Sequence, residues 1–159
     1  MILPDINVLI HAHNTDSPRH DAARGWWDRA LAGPEGIGLA WVTILGFLRI
    51  TTHRGILRNP MSPTDACSRI EEWLALPHVH IPLPAEGHFA RLRAHLEQLG
   101  TAGNLTTDAH LATLAMERGY TLCTTDADFG RFPGLMRTDP LAPSGSRSDR
   151  ANTDKSNRR

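Results

Sequence analysis

The stretch ILPDINVLI, residues 2–10, buries a contradiction at the start of the chain. Ile2, Leu3, Ile6, Val8, Leu9 and Ile10 all favour a core, yet Asp5 sits among them. An ionised carboxylate removed from water without a partner costs several kcal/mol or takes up a proton. Asp5 is therefore either a turn residue at the surface or a group awaiting a cation, and the rest of the chain decides between the two.

At 159 residues, 40% of them apolar, the chain is long enough for one domain with a sizeable core. Its longest apolar stretch, Ile37 to Leu48, is too short for a membrane span and is broken by Gly38, Thr43 and Gly46. The start reads directly as a strand, with no basic lead-in, so no signal peptide and no membrane association are expected. Cys67 and Cys123 stand alone and far apart, without zinc spacing or a disulfide framework. A reducing, cytoplasmic setting follows.

The zero net charge is unevenly spread. Residues 1–142 carry 12 Arg against 15 acidic residues, whereas residues 143–159 carry 5 basic against 2 acidic. A body of about −3 is not built to attract nucleic acid by itself. To act on a polyanion it needs metal ions or local Arg groups. The segment 143–159 has no large apolar residue and no periodicity, so it reads as a disordered basic polar tail outside a 1–142 domain.

Within 1–142, strand-like and helix-like segments alternate. MILP, GIGLA, HVHIPL, TLCTT and LMRT read as strands, and helices are expected over Val8–His13, His20–Leu31, Val42–Thr52, Ser62–Leu76, Glu86–Leu99 and from Thr106 or Thr107 to Gly119. Ser62 is the expected cap of the fourth helix, with Pro63 in its first turn, and Thr106 or Thr107 of the last. Alternation of this kind implies an α/β fold with a parallel sheet covered on both faces. In such sheets ligands gather at the carboxyl ends of the strands. Asp5 ends the first strand, Asp126 and Asp128 follow TLCTT, and Asp108 falls in the first turn of the helix before it. Taken singly, Asp108 suits a helix N-terminus, and Asp126 and Asp128 suit a turn. Taken together, carboxylates on one rim repel each other unless a divalent cation neutralises them, and hard cations such as Mg²⁺ take oxygen ligands. Carboxylate-bound Mg²⁺ or Mn²⁺ suits phosphodiester hydrolysis, because it activates water and stabilises charge on phosphate oxygens.

Three segments, LPDINVLI, GLAWVTILGFLRITTHRGIL and TAGNLTTDAHLATLAMERGYTLCTTDADFGRFPGL, resemble the PIN domain, and more narrowly the VapC-type toxins of bacterial toxin–antitoxin pairs, over residues 1–141. The resemblance implies a PIN-like three-layer α/β/α sandwich with a mainly parallel five-stranded sheet. It also implies an Mg²⁺/Mn²⁺-dependent endoribonuclease that cuts tRNA or other structured RNA, a homodimer, and a cognate VapB-type antitoxin that blocks the active site. Carried onto this sequence, Asp5, Asp108 and Asp126 become the catalytic, metal-binding acids, with Asp128 auxiliary. Thr125 would lie beside the metal-bound water, and Asn7 would orient Asp5. In one respect the chain departs from the family: the Glu common near the start of the third helix is missing, and no carboxylate lies between Glu35 and Asp65. Glu35, in a Gly/Pro turn, does not fill the gap. The number of ions stays open, and so does a second reading, a catalytically weak PIN module that binds and sequesters a partner.

Arg49 matches a recurrent Arg of these toxins, either as structural partner of a buried carboxylate or helix carbonyls, or as a phosphate contact. Arg19, His20, Arg54 and Arg58 form either an RNA-gripping rim or a solvated face. The pairs His11/His13 and His78/His80 lack a third ligand nearby and do not make a zinc site. Trp26, Trp27, Trp41 and Trp73 read as core or dimer packing rather than base-stacking platforms. A receiver-type phosphoryl-transfer domain would want a late-strand Lys, which the body lacks. A haloacid-type phosphatase would want Asp-x-Asp after the first strand, where Asp5-Ile6-Asn7 stands.

Overall fold

The computed structural model describes residues 1–143. Five short strands, β1 (Ile2–Pro4), β2 (Ile37–Gly38), β3 (Val79–His80), β4 (Thr121–Cys123) and β5 (Arg137–Thr138), form one sheet in the order β3-β2-β1-β4-β5. Every neighbouring pair is parallel. Parallel neighbours need crossover connections, which contain α1 (Ile6–His13), α2 (His20–Ala32), α3 (Trp41–Thr51), α4 (Pro63–Leu74), α5 (His88–Leu99) and α6 (Thr106–Arg118).

Alternation along β1 sorts the core into two halves. Ile2 faces a cluster with Leu9, Trp27, Phe47 and Trp73, while Leu3 faces one with Ala109, Leu114, Leu122 and Phe129. Helices α1–α4 cover the first face, and α5 and α6 cover the second, which gives the expected α/β/α sandwich. Trp73 packs edge-on against Trp27 at 5.2 Å and Phe47 at 5.1 Å. Trp26 leans on the same cluster, and Trp41 alone of the four is exposed, at 53%. Helix α3 presses on the first turn of α1, where a Cβ at Gly46 would stand 3.2 Å from Ile6 Cγ1.

Local signals held at several ends and failed at others. Ser62 Oγ accepts the Asp65 N–H at 3.0 Å, with Pro63 opening α4. Gly100 and Gly119 close α5 and α6 in the left-handed conformation, at φ 67° and 65°. Helix α1 starts at Ile6 rather than Val8, because Asp5 itself is the N-cap. Neither Thr106 nor Thr107 caps α6: a 3₁₀ turn over Gly103–Leu105 runs into it, and Leu105 occupies the cap position without a side-chain bond. The strands are shorter than their apolar runs, since only two or three residues of each stay in register before the chain turns into a helix or loop. Apart from Pro143, the tail expected over 143–159 lies outside the described residues.

Candidate active site

The strand order places β1 at the centre, with β2 and β4 on either side. The chain works outward through β2 and β3, then crosses back to β4, so a crevice opens where β1 and β4 end. Asp5 leaves β1 in an extended conformation (φ −75°, ψ 155°) and is 3% exposed. Its Oδ1 accepts the Ile6 N–H at 2.7 Å and its Oδ2 accepts the Thr124 hydroxyl at 2.9 Å. Register explains the second contact: Pro4 pairs with Cys123, and the Asp5 N–H donates to the Cys123 carbonyl, which sets Thr124 beside the carboxylate. The same Thr124 oxygen accepts the Asp126 N–H at 2.9 Å, and Asp126 Oδ1 accepts the Asp128 N–H at 2.8 Å. One hydroxyl thus ties Asp5 to the acidic loop after β4.

Burial pushes the Asp5 carboxyl up to about 6; the bonds from Thr124 and Ile6 oppose this, and the charges of Asp108 and Asp126 add to it. Asp108, half-buried in the first turn of α6, is also raised, first by burial and then by Asp126 and Asp128. Asp5 and Asp108 thus each sit in the field of neighbouring carboxylates. Asp5 and Asp108 line a single small cavity of about 60 Å³, together with Thr43, Gly46, Arg49 and Thr107. Asp126 and Asp128 are not part of its wall. Among the described residues no three acid, His or Cys side chains converge closely enough to cage an ion alone.

The supporting residues differ from expectation in detail. Asp5 is oriented by Thr124 and Ile6, and Asn7, half-buried in α1, does not hydrogen-bond it. Thr125, also half-buried, stands one position beyond the contacting hydroxyl. Thr124 was missed because a residue at a strand end differs from its neighbour only by register. Arg49 is exposed, lines the cavity, and forms no ion pair among the described residues, which removes its reading as partner of a buried carboxylate. Arg19, Arg54 and Arg58 are exposed. His13 is a core residue bonded to the Leu9 carbonyl and set edge-on to Phe47 and Trp73; burial lowers it to about 4. His80 Nε2 meets the Tyr120 hydroxyl at 2.9 Å.

A second polar cluster, without any signal in the sequence, joins α6 to α5 and the segment before it. Glu117 Oε2 accepts the Ala85 N–H at 3.1 Å and bonds His88 Nδ1 at 2.8 Å, while Oε1 accepts Arg91 at 2.9 Å. His88 Nε2 lies 2.9 Å from His110 Nδ1. Partners 22 to 32 positions apart leave no local signature.

Residues 2–135 match the PIN domain model. Ribonuclease VapC33 of Mycobacterium tuberculosis is 40% identical over 141 residues, covering 89% of this chain and 99% of that protein. Among solved structures, FitAcB from Neisseria gonorrhoeae aligns at a TM-score of 0.63 and 20% identity, over 89% of this chain and 99% of that one. VapBC2 from Rickettsia felis, bound to a DNA fragment from its promoter, aligns at 0.61 and 19%, over 87% and 98%. The structural likenesses speak for the fold, and the sequence identity for the descent: this chain belongs to the PIN-domain family, among the VapC ribonucleases.

Proposed function

We propose that the protein is the toxin of a type II toxin–antitoxin pair, an Mg²⁺- or Mn²⁺-dependent endoribonuclease that hydrolyses phosphodiester bonds of structured RNA such as tRNA. The observation that carries this reading is the buried Asp5 sharing one cavity with Asp108, both held above the ordinary carboxylate range. The donor set is all oxygen, which suits a hard cation. Mg²⁺ in particular binds through one or two carboxylates and keeps water and phosphate for its other positions, so a two-acid wall fits it. Asp5 and Asp108 would hold the ion, with Asp126 and Asp128 extending the set. When bound, the ion lowers the pKa of a coordinated water and stabilises charge on the phosphate. Thr124 fixes the Asp5 carboxylate, and Thr125 and Asn7 are the auxiliary residues of this reading, Thr125 beside the metal-bound water and Asn7 next to the Asp5 turn. Hydrolysis joins the water oxygen to phosphorus, breaks one ester P–O bond and returns a proton to the leaving oxygen.

A VapB-type antitoxin is the proposed partner. Trp41 and Leu45, one helical turn apart on α3 and 53% and 58% exposed, support a homodimer through that face, which light scattering tests directly. No helix among the described residues is long and apolar enough to cross a membrane; the cytoplasmic setting proposed here rests on the sequence reading. One observation favours the alternative of a weak, sequestering PIN module, namely that α3 brings no carboxylate to the cavity. Cleavage of RNA by the antitoxin-free protein with Mg²⁺ or Mn²⁺ separates the two. Asp5→Asn and Asp108→Asn are expected to lose activity on the order of 10²-fold or more. A wild type that cuts no RNA, or variants that cut as well as it does, would leave the sequestering role.

A further inference from the structure

The wall that α3 gives to the active-site cavity carries one charge, and it is positive. Arg49 shares the cavity with Asp5 and Asp108, yet among the described residues it is not ion-paired to either of them. Its guanidinium is therefore available to an anion from outside. The two carboxylates of the cavity suffice for one magnesium-like ion. A second ion, about 3.5–4 Å from the first in two-metal sites, needs oxygen ligands of its own. On α3 the cavity meets Val42, Thr43, Gly46 and Arg49, none of which brings a carboxylate; the Thr43 hydroxyl is held in place by donating to the Pro4 carbonyl at 3.2 Å. That wall repels a cation instead of binding one. A guanidinium there matches the alternative: it stays charged at any working pH and presents a fork of donors that fits two oxygens of one phosphate.

We propose that the centre works with a single divalent ion and that Arg49 takes the place of a second, donating to two oxygens of the scissile phosphate. The inference rests on the metal-dependent nuclease reading and divides its labour: the acids hold the ion, and Arg49 holds the substrate. Loss of Arg49 then weakens turnover without emptying the metal site.

The test counts bound Mn²⁺ by the electron paramagnetic resonance of the free ion, alongside cleavage of total tRNA, for wild type, Arg49→Ala, Arg49→Lys and Asp5→Asn. One Mn²⁺ per chain is expected for wild type. Arg49→Ala should keep that ion at equal or tighter affinity, because a like charge has gone, while cleavage falls about 10²-fold. Arg49→Lys should recover part of the loss, since it restores charge without the fork. Two Mn²⁺ per wild-type chain would overturn the inference, as would Arg49→Ala cleaving like wild type while Asp5→Asn is inactive. Absence of Mn²⁺ binding, with Asp5→Asn cleaving like wild type, would instead fell the nuclease reading and this inference with it.

Discussion

Asp5 is a buried residue, Glu117 is half-buried with only its side chain tucked away, and the fold treats the two carboxylates in opposite ways. Glu117 is satisfied. Burial alone would raise its pKa, but the bonds from His88, Ala85 and Arg91 and the His88 charge bring it below the ordinary value. Asp5 receives two neutral donors and faces two further acids, so burial prevails and it ends near 6. A carboxylate whose partners are complete fastens α6 to α5 and the loop before it; one left short of positive charge is the one the proposed function assigns to a cation. The contrast shows that burial alone does not identify a functional acid, and that the identity of its neighbours does.

The largest expected break in this contrast is in pH dependence, measured by urea unfolding in EDTA. Between 3.8 and about 6 the folded chain keeps a proton on Asp5 that the unfolded chain has released. Stability from this group therefore falls as pH rises through that window and stays lower above it. Relative to Asp5→Asn, wild type should lose roughly 2 to 3 kcal/mol from pH 4 to pH 7. A pH-independent difference would show that Asp5 ionises normally. Next in size is Glu117→Ala, which strands the donors of His88 and Ala85, returns Arg91 to water, and should cost about 2 kcal/mol at pH 7. Its sign with pH is reversed: the Glu117 contribution is full above 4.5 and fades as pH falls through its lowered folded value. The smallest effect belongs to Thr124→Val. Removing the donor to Asp5 should cost about 1 kcal/mol and move the Asp5 titration, followed by the NMR shift of its carboxyl carbon, further upward. An unmoved titration would mean that the 2.9 Å bond to Thr124 does not matter to the charge.

Much of this was legible without coordinates, for definable reasons. Asp5 stood out because a charge in an apolar run has few explanations, and the alternation of strand and helix then assigned it to the rim with Asp108 and Asp126. The Ser62 cap and the glycine stops at 100 and 119 were readable because their chemistry is local. The start of α6 was not, since the backbone enters it through a 3₁₀ turn that makes a hydroxyl cap unnecessary. Thr124 and Thr125 are chemically alike, and only the pairing of Pro4 with Cys123 distinguishes them. The Glu117 cluster depends on how α5 docks, which no short window encodes. Arg49 was half legible: its type suggested phosphate, and its exposure without an ion pair disposed of the structural alternative.

Gly46 draws two of these threads together. A Cβ there would stand 3.2 Å from Ile6 Cγ1, so any larger residue makes the Ile6 side chain, at the start of α1 beside its cap Asp5, give way by a few tenths of an ångström. A larger residue at this point of α3 therefore presses first on Ile6, the residue next to Asp5, so the fit of α3 against α1 bears directly on how the Asp5 carboxylate is held.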